Sequence, residues 1–226
     1  MNKTHFDLSF KSSSLKNLPF GLYQVFMLFV APVTLLYFNI IPIEARFFVL
    51  AFCALMIYGI VRKEKWNMEM LGIREFHTEK ELKPYIIFAL IGIFFIIGSA
   101  GLNGMSPKIS TDNALHLFLL FIPVSAFQQF AYQGFLIPVL HRVYKSPVRI
   151  VFITALLFAF MHIIYPDALV SLPLAFLGGL AFAMMYLRYP NLILISIASC
   201  GTVGRTTATN SLVSWLPKTP SWHRSW

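Results

Sequence analysis

The sequence predicts an all-α fold: a polytopic transmembrane helical bundle with six full spans and an incomplete seventh. Three observations carry that prediction. Of the 226 residues, 58% are apolar and 12% are charged. Several apolar runs approach the roughly 20 residues a helix needs to cross a bilayer. The charged residues interrupt the chain mainly at the ends of those runs. With most of the chain in spans and short loops, there is room for one bundle, a single transmembrane domain over 1–203, and none for a separate soluble unit.

The first 17 residues are mixed polar. The run that follows, Leu18 to Ile41, is longer than the roughly 7–15 residues of a signal-peptide core, so it is expected to remain as an anchor. The second span runs from Ile43 to Val61 with Glu44 and Arg46 at its mouth, and the third from Pro84 to Leu102. Between them lies Arg62 to Lys83, which reads as a solvated connector. The fourth span, Leu115 to Leu140, contains Gln128, Gln129 and Gln133 and no Asp or Glu. The fifth covers Val148 to Tyr165 and the sixth Ala168 to Leu187. In the sixth, Ser171, Ala175, Gly179 and Ala183 recur every four residues with Gly178 beside them, a ribbon that lets a neighbouring helix approach closely. A seventh begins at Leu192 but loses apolar character after Ala198, so it is incomplete as a span.

A net charge of +9 raises the question of nucleic acid. The 18 basic residues follow membrane topology instead. With the N-terminus in the cytoplasm, thirteen of them fall on the inner side and only Arg46 and Lys108 on the outer, leaving Arg205, Lys218 and Arg224 in the tail. That is the positive-inside pattern of a multi-pass protein of the cell membrane. The basic residues flank spans and form no continuous face, which excludes nucleic acid as a partner. Cys53 and Cys200 show no CxxC spacing and point to neither a disulfide nor zinc.

On the fourth span, Ser125, Gln129 and Gln133 share one stripe at helical spacing, with Gln128 and Tyr132 on the next. Amides cannot be left unsatisfied in lipid, so this polar face is expected to turn into the bundle. It is expected there to meet His162, the only histidine well inside a span, towards the end carrying the basic loops. On the fifth span, Thr154, Phe158 and His162 are again four apart.

The order of these features resembles the CPBP family, which includes type II CAAX prenyl endopeptidases, Abi proteins and lysostaphin-resistance-A-like proteins. The family's motifs are E-E-x-x-x-R on one span, F-x-x-x-H on the next, F-x-x-G on a third and H-x-x-x-N on the last. Here Gln128, Gln129 and Gln133 stand at the E-E-x-x-x-R positions, followed by Gly134, Phe135 and Leu136. Phe158 and His162 match the second motif, and Phe176 and Gly179 the third. The stretch from Tyr186 to Leu192 is similar to the connector into the last span. Counting on from Leu192 puts the family's last histidine at Ser199 and its asparagine at Val203. The resemblance covers roughly residues 84–203.

It implies an intramembrane endopeptidase site at Gln128, Gln129, Gln133, His162 and Ser199, with Tyr132 and Phe158 as substrate-binding neighbours. In the family a buried glutamate assisted by histidines is thought to activate water. Of these catalytic positions only His162 keeps the family residue. A glutamine amide neither takes up a proton at neutral pH nor supplies negative charge, and losing a general base typically costs about 10²–10⁴ in rate. Zinc wants three or four His, Cys or carboxylate ligands, and one histidine does not supply them, so neither a metal nor another cofactor is expected. The replacement is nonetheless coherent. Removing acids and arginine together leaves a neutral site, whereas removing either alone would strand charge at membrane depth.

Two functions follow. One is a catalytically impaired relative that binds membrane lipid, a prenylated or hydrophobic peptide, or another membrane protein. The other is an active intramembrane endopeptidase processing such peptides. Whether the chain is an enzyme is left open by the residues alone. Residues 204–226 turn polar and hold three of the four tryptophans with no acid. They read as an interfacial anchor or exported tail, or as an altered or disordered C-terminus.

Overall fold

The computed structural model describes residues 18–73, 79–102, 122–164 and 168–203, and among these the regular structure is helical, with no strand. Helix α1 covers 18–37, in which Leu18–Val25, a π-helical turn Phe26–Val30 and Ala31–Tyr37 run on without a break. After a 3₁₀ turn, Ile43–Ala45, helix α2 occupies Arg46–Lys63, and helix α3 occupies Glu79–Leu102. Helix α4 covers 122–143 with a π-helical stretch, Phe130–Leu136, in its middle. Helix α5, Pro147–Phe160, ends in a 3₁₀ turn, Met161–Ile164; helix α6 is Ala168–Arg188 and helix α7 Leu192–Val203.

Both π turns have the same cause in the sequence. Pro32 and Pro138 each stand two residues beyond a π turn. A proline inside a helix lacks an N–H and its ring crowds the carbonyl four residues back, at Leu28 in one case and Gly134 in the other. Both carbonyls lie inside the π turn, where bonds close over five residues instead of four and the wider turn makes room. The two π turns meet: the rings of Phe29 and Tyr132 pack edge to face with centroids 5.0 Å apart.

Three stretches, Ile43–Lys63, Pro147–Ile164 and Ser171–Arg188, are long and apolar enough to cross a membrane, and Gly21–Tyr37 and Leu82–Gly92 are shorter apolar helices. The helices follow the predicted order. Three of the predicted full spans have spanning length and composition; the fourth is described only from residue 122, and the seventh is 12 residues long. Phe48, Phe52, Leu55, Leu90, Phe94 and Leu177 are exposed, as large side chains facing hydrocarbon should be.

The most extensive contact is between α5 and α6. It depends on the small-residue ribbon. A Cβ added to Gly179 would come within 2.9 Å of the Ala155 Cα, so only glycine allows the two backbones this separation. Helix α3 lies along α7, with the Tyr85 hydroxyl donating to the Tyr189 carbonyl and Phe88 packed on Phe182.

The connector after α2 differs from the expectation of a solvated loop. Residues 64–73 fold under the ends of α4, α6 and α7. Trp66 stacks on Phe135 with centroids 5.6 Å apart, and Glu64 accepts from both Trp66 Nε1 and Arg142 Nη1 at 2.8 Å. Leu71 is buried, and the Gly72 carbonyl accepts the Leu192 N–H at 2.8 Å. The segment holds buried apolar side chains and satisfies an N-terminal donor of α7, which a solvated loop would not do.

Candidate functional site

The middle of α4 is buried on every side: Ala131 to Leu136 are all inaccessible, Gln133 with 0% of its surface exposed and Gln129 with 1%. An isolated amphipathic helix would show a polar and an apolar face. A central helix surrounded by neighbours shows neither. The π stretch touches α2, the turn at 69–71, α5, α6 and α7, which makes α4 the hub of the described bundle.

Residues along α4 meet different partners. Ser125 and Gly134 face α7, where the Ser125 hydroxyl is hydrogen-bonded to that of Ser199 and a Cβ on Gly134 would lie 3.5 Å from Leu192. Both hydroxyls also reach the Ser196 carbonyl, at 3.0 and 2.9 Å. Three oxygens thus share two protons and tie α4 to α7. At the start of α7, the Asn191 side-chain oxygen accepts the Leu194 N–H at 3.0 Å, an N-cap in the ordinary geometry.

Gln128 and Tyr132 face α5 and the turn that ends it. Tyr132 donates to the Leu157 carbonyl at 3.2 Å, and its ring packs edge to face on Phe158 at 5.2 Å. Gln128 Nε2 lies 3.9 Å from the Met161 sulfur, a weak contact for an amide donor. His162 is half-buried in the 3₁₀ turn. Its Nδ1 is 2.8 Å from the Phe158 carbonyl, which can only accept, so Nδ1 carries the proton and Nε2 is the acceptor nitrogen of the neutral ring.

His162 is level with Gln128, next to Met161. From the pairing of Gln128 with Met161 and Tyr132 with Leu157, Gln133 lies roughly 7 Å further along the axis. The expected placement towards the basic loops is not what the geometry gives: His162 stands about 20 Å along α5 from Arg149, at 1.5 Å per residue. The cause is the position of His162 at the far end of α5, after the last full α-helical turn.

Beside Gln128 and Tyr132 a small apolar cleft of about 80 Å³, partly open, runs between α1, α2 and α4. Phe29, Val33, Cys53 and Ile57 are among its walls. Sequence reasoning found the polar floor and missed the walls, because nothing in the spacing of α1 and α2 says which side turns to α4. It also passed over Ser196, which looks like one more small residue of a short helix. Among the described residues no three His, Cys, Asp or Glu side chains gather where a metal ion would sit.

Fold and site together define a class: a helical membrane protein whose central helix carries a buried, uncharged polar cluster beside an apolar cleft. Residues 110–201 match the family model described as type II CAAX prenyl endopeptidase Rce1-like, so this part of the chain is similar to that family. The match covers α4 to α7, the helices that hold Gln128, Gln129, Gln133, His162 and Ser199. No curated protein and no solved structure matches the chain.

Proposed function

We propose that this chain is a non-proteolytic Rce1-like protein of the cell membrane, N-terminus in the cytoplasm, that holds a prenylated or hydrophobic peptide, or a hydrophobic segment of another membrane protein, in the cleft beside Gln128 and Tyr132. The observation that carries this reading is the chemical identity of the residues at the family's positions. Three amides replace two carboxylates and an arginine, and a serine hydroxyl already hydrogen-bonded to Ser125 stands in place of the second histidine. Water activation needs a base at Gln128 or Gln129, a cation at Gln133 and an imidazole at Ser199. Residues that act as a unit lose nearly all their effect when one is missing. What persists is a small, partly open apolar slot with a polar floor, whose groups can hold part of a hydrophobic chain without reacting with it.

The test presents prenylated CAAX peptides and a hydrophobic transmembrane peptide to the purified protein in detergent. Expected are saturable binding by fluorescence quenching and no cleavage above background. Replacing the wall residue Val33 by Trp should weaken binding at least several-fold. Cleavage by the wild type that disappears in His162→Ala would overturn the reading and make the protein an enzyme without the family's carboxylate.

A further inference from the structure

Four polar atoms in the middle of the bundle have no hydrogen-bond partner among the described residues: Gln129 Oε1, Gln133 Nε2, Gln133 Oε1 and Thr154 Oγ1. Their residues are sealed, with exposures of 1%, 0% and 0%. An unpaired amide or hydroxyl in an apolar interior costs roughly 1–3 kcal/mol, and most buried polar groups in proteins are therefore bonded to something. Thr154 sharpens the point. A buried threonine in mid-helix ordinarily returns its hydroxyl to the carbonyl four residues back, as Thr34 does to Val30 at 2.9 Å, and Thr154 does not.

Pairing among these side chains does not satisfy the set. A bond from Gln133 Nε2 to Gln129 Oε1, four residues earlier on the same helix, would use one donor and one acceptor. It would leave the Gln133 carbonyl, the second amide N–H and the Thr154 hydroxyl. Thr154 and Gln133 are close in height, because Thr154 is one turn from Phe158, whose ring meets Tyr132, the residue before Gln133; Gln129 lies one helical turn further along α4. The remaining needs are mixed, donors and acceptors together. An anion would face the two carbonyls, and a cation the amide N–H groups. A small neutral molecule that both donates and accepts fits all four.

We infer that Gln129, Gln133 and Thr154 form a binding site for a cluster of buried water molecules at the core of α4, separate from the apolar cleft lined by Gln128 and Tyr132. Water bridges polar groups that cannot reach one another and typically makes about three hydrogen bonds in such sites. The site sits where the π stretch of α4 begins, with Gln129 just before its first residue and Gln133 inside it.

A sign decides the matter. Gln133→Met keeps the length of the side chain and removes its amide. In a dry core that substitution removes an unsatisfied group and raises the melting temperature in detergent. In a hydrated one it strips partners from bound water and lowers it, by roughly 2–4 °C for each kcal/mol in a chain of this size. We expect a fall for Gln133→Met and for Gln129→Met, and a larger fall for the double variant. Recovery in the double variant would show that the two amides only bonded each other, and a rise in any of the three would show a dry core; each result overturns the proposal. Should a variant fail to accumulate, X-ray radiolytic labelling of the wild type in detergent decides: oxidation at Phe135, buried in the π stretch and outside the cleft, is expected from adjacent bound water, and its absence there while exposed Phe48 is labelled overturns the proposal.

Discussion

Gln128 and Gln129 occupy adjacent positions but do different things: one sits at the floor of the cleft against Met161, the other is sealed inside the bundle. Returning carboxyl groups to both would test how far charge alone accounts for the missing chemistry. We expect Gln128→Glu combined with Gln129→Glu to leave peptide cleavage at background, because Gln133 and Ser199 still supply no cation or imidazole. The same pair should lower stability by about 2–4 kcal/mol, since acidic groups at membrane depth are costly without a partner. Thermal denaturation in detergent and the CAAX peptide assay check both halves; cleavage restored by the pair would show that the rest of the site is intact. At this scale the sequence was informative about residue type and less so about surroundings. The amides and His162 can be read from spacing, whereas the Ser125–Ser199 bond depends on α7 lying antiparallel to α4, which no local pattern encodes.

Helices were the most legible elements, because apolar length and flanking charge act locally. The order α1 to α7 follows from those signals. The π turns did not, although Pro32 and Pro138 announce them once the carbonyl four residues back is considered. The connector 64–73 was misread for a related reason: its polar composition suggests solvent, but Trp66, Leu71 and Gly72 make contacts set by distant helices. Gly72 is the strictest of these. Its φ is +69°, a region costly for other residues, and an added Cβ would fall on the Tyr186 hydroxyl. Gly72→Ala is expected to lower stability by about 1–3 kcal/mol and to loosen the start of α7, whose Leu192 N–H bonds the Gly72 carbonyl. Faster amide hydrogen exchange confined to the first turn of α7 and residues 64–73 would be the signature; an unchanged melting temperature would mean that the connector is not docked in the membrane.

The bundle as a whole is polarised. Among the described residues one end holds nine basic positions, on the last turn of α2, the connector, the first turns of α3 and α5, the end of α4 and its link to α5, and the end of α6, against four acidic ones. Among the described residues the opposite end holds only Arg46 and Glu44. Docking of the connector adds to the contrast, because Glu64 is drawn into a pair with Arg142 while Arg62, Lys63 and Lys65 stay exposed. Chains insert with basic loops retained in the cytoplasm, and flanking Lys and Arg within about 15–20 residues of a span weigh most. The orientation expected is therefore basic end inwards, which places positions 63 and 145 in the cytoplasm and positions 108 and 167 outside. Single cysteines at these four sites in a background with Cys53 and Cys200 replaced, probed with an impermeant maleimide on intact cells, should label at 108 and 167 only, with 63 and 145 reacting after lysis. Labelling of position 63 from outside would reverse the bundle. It would also require nine basic residues to have been translocated, against the bias that the whole distribution of charge imposes.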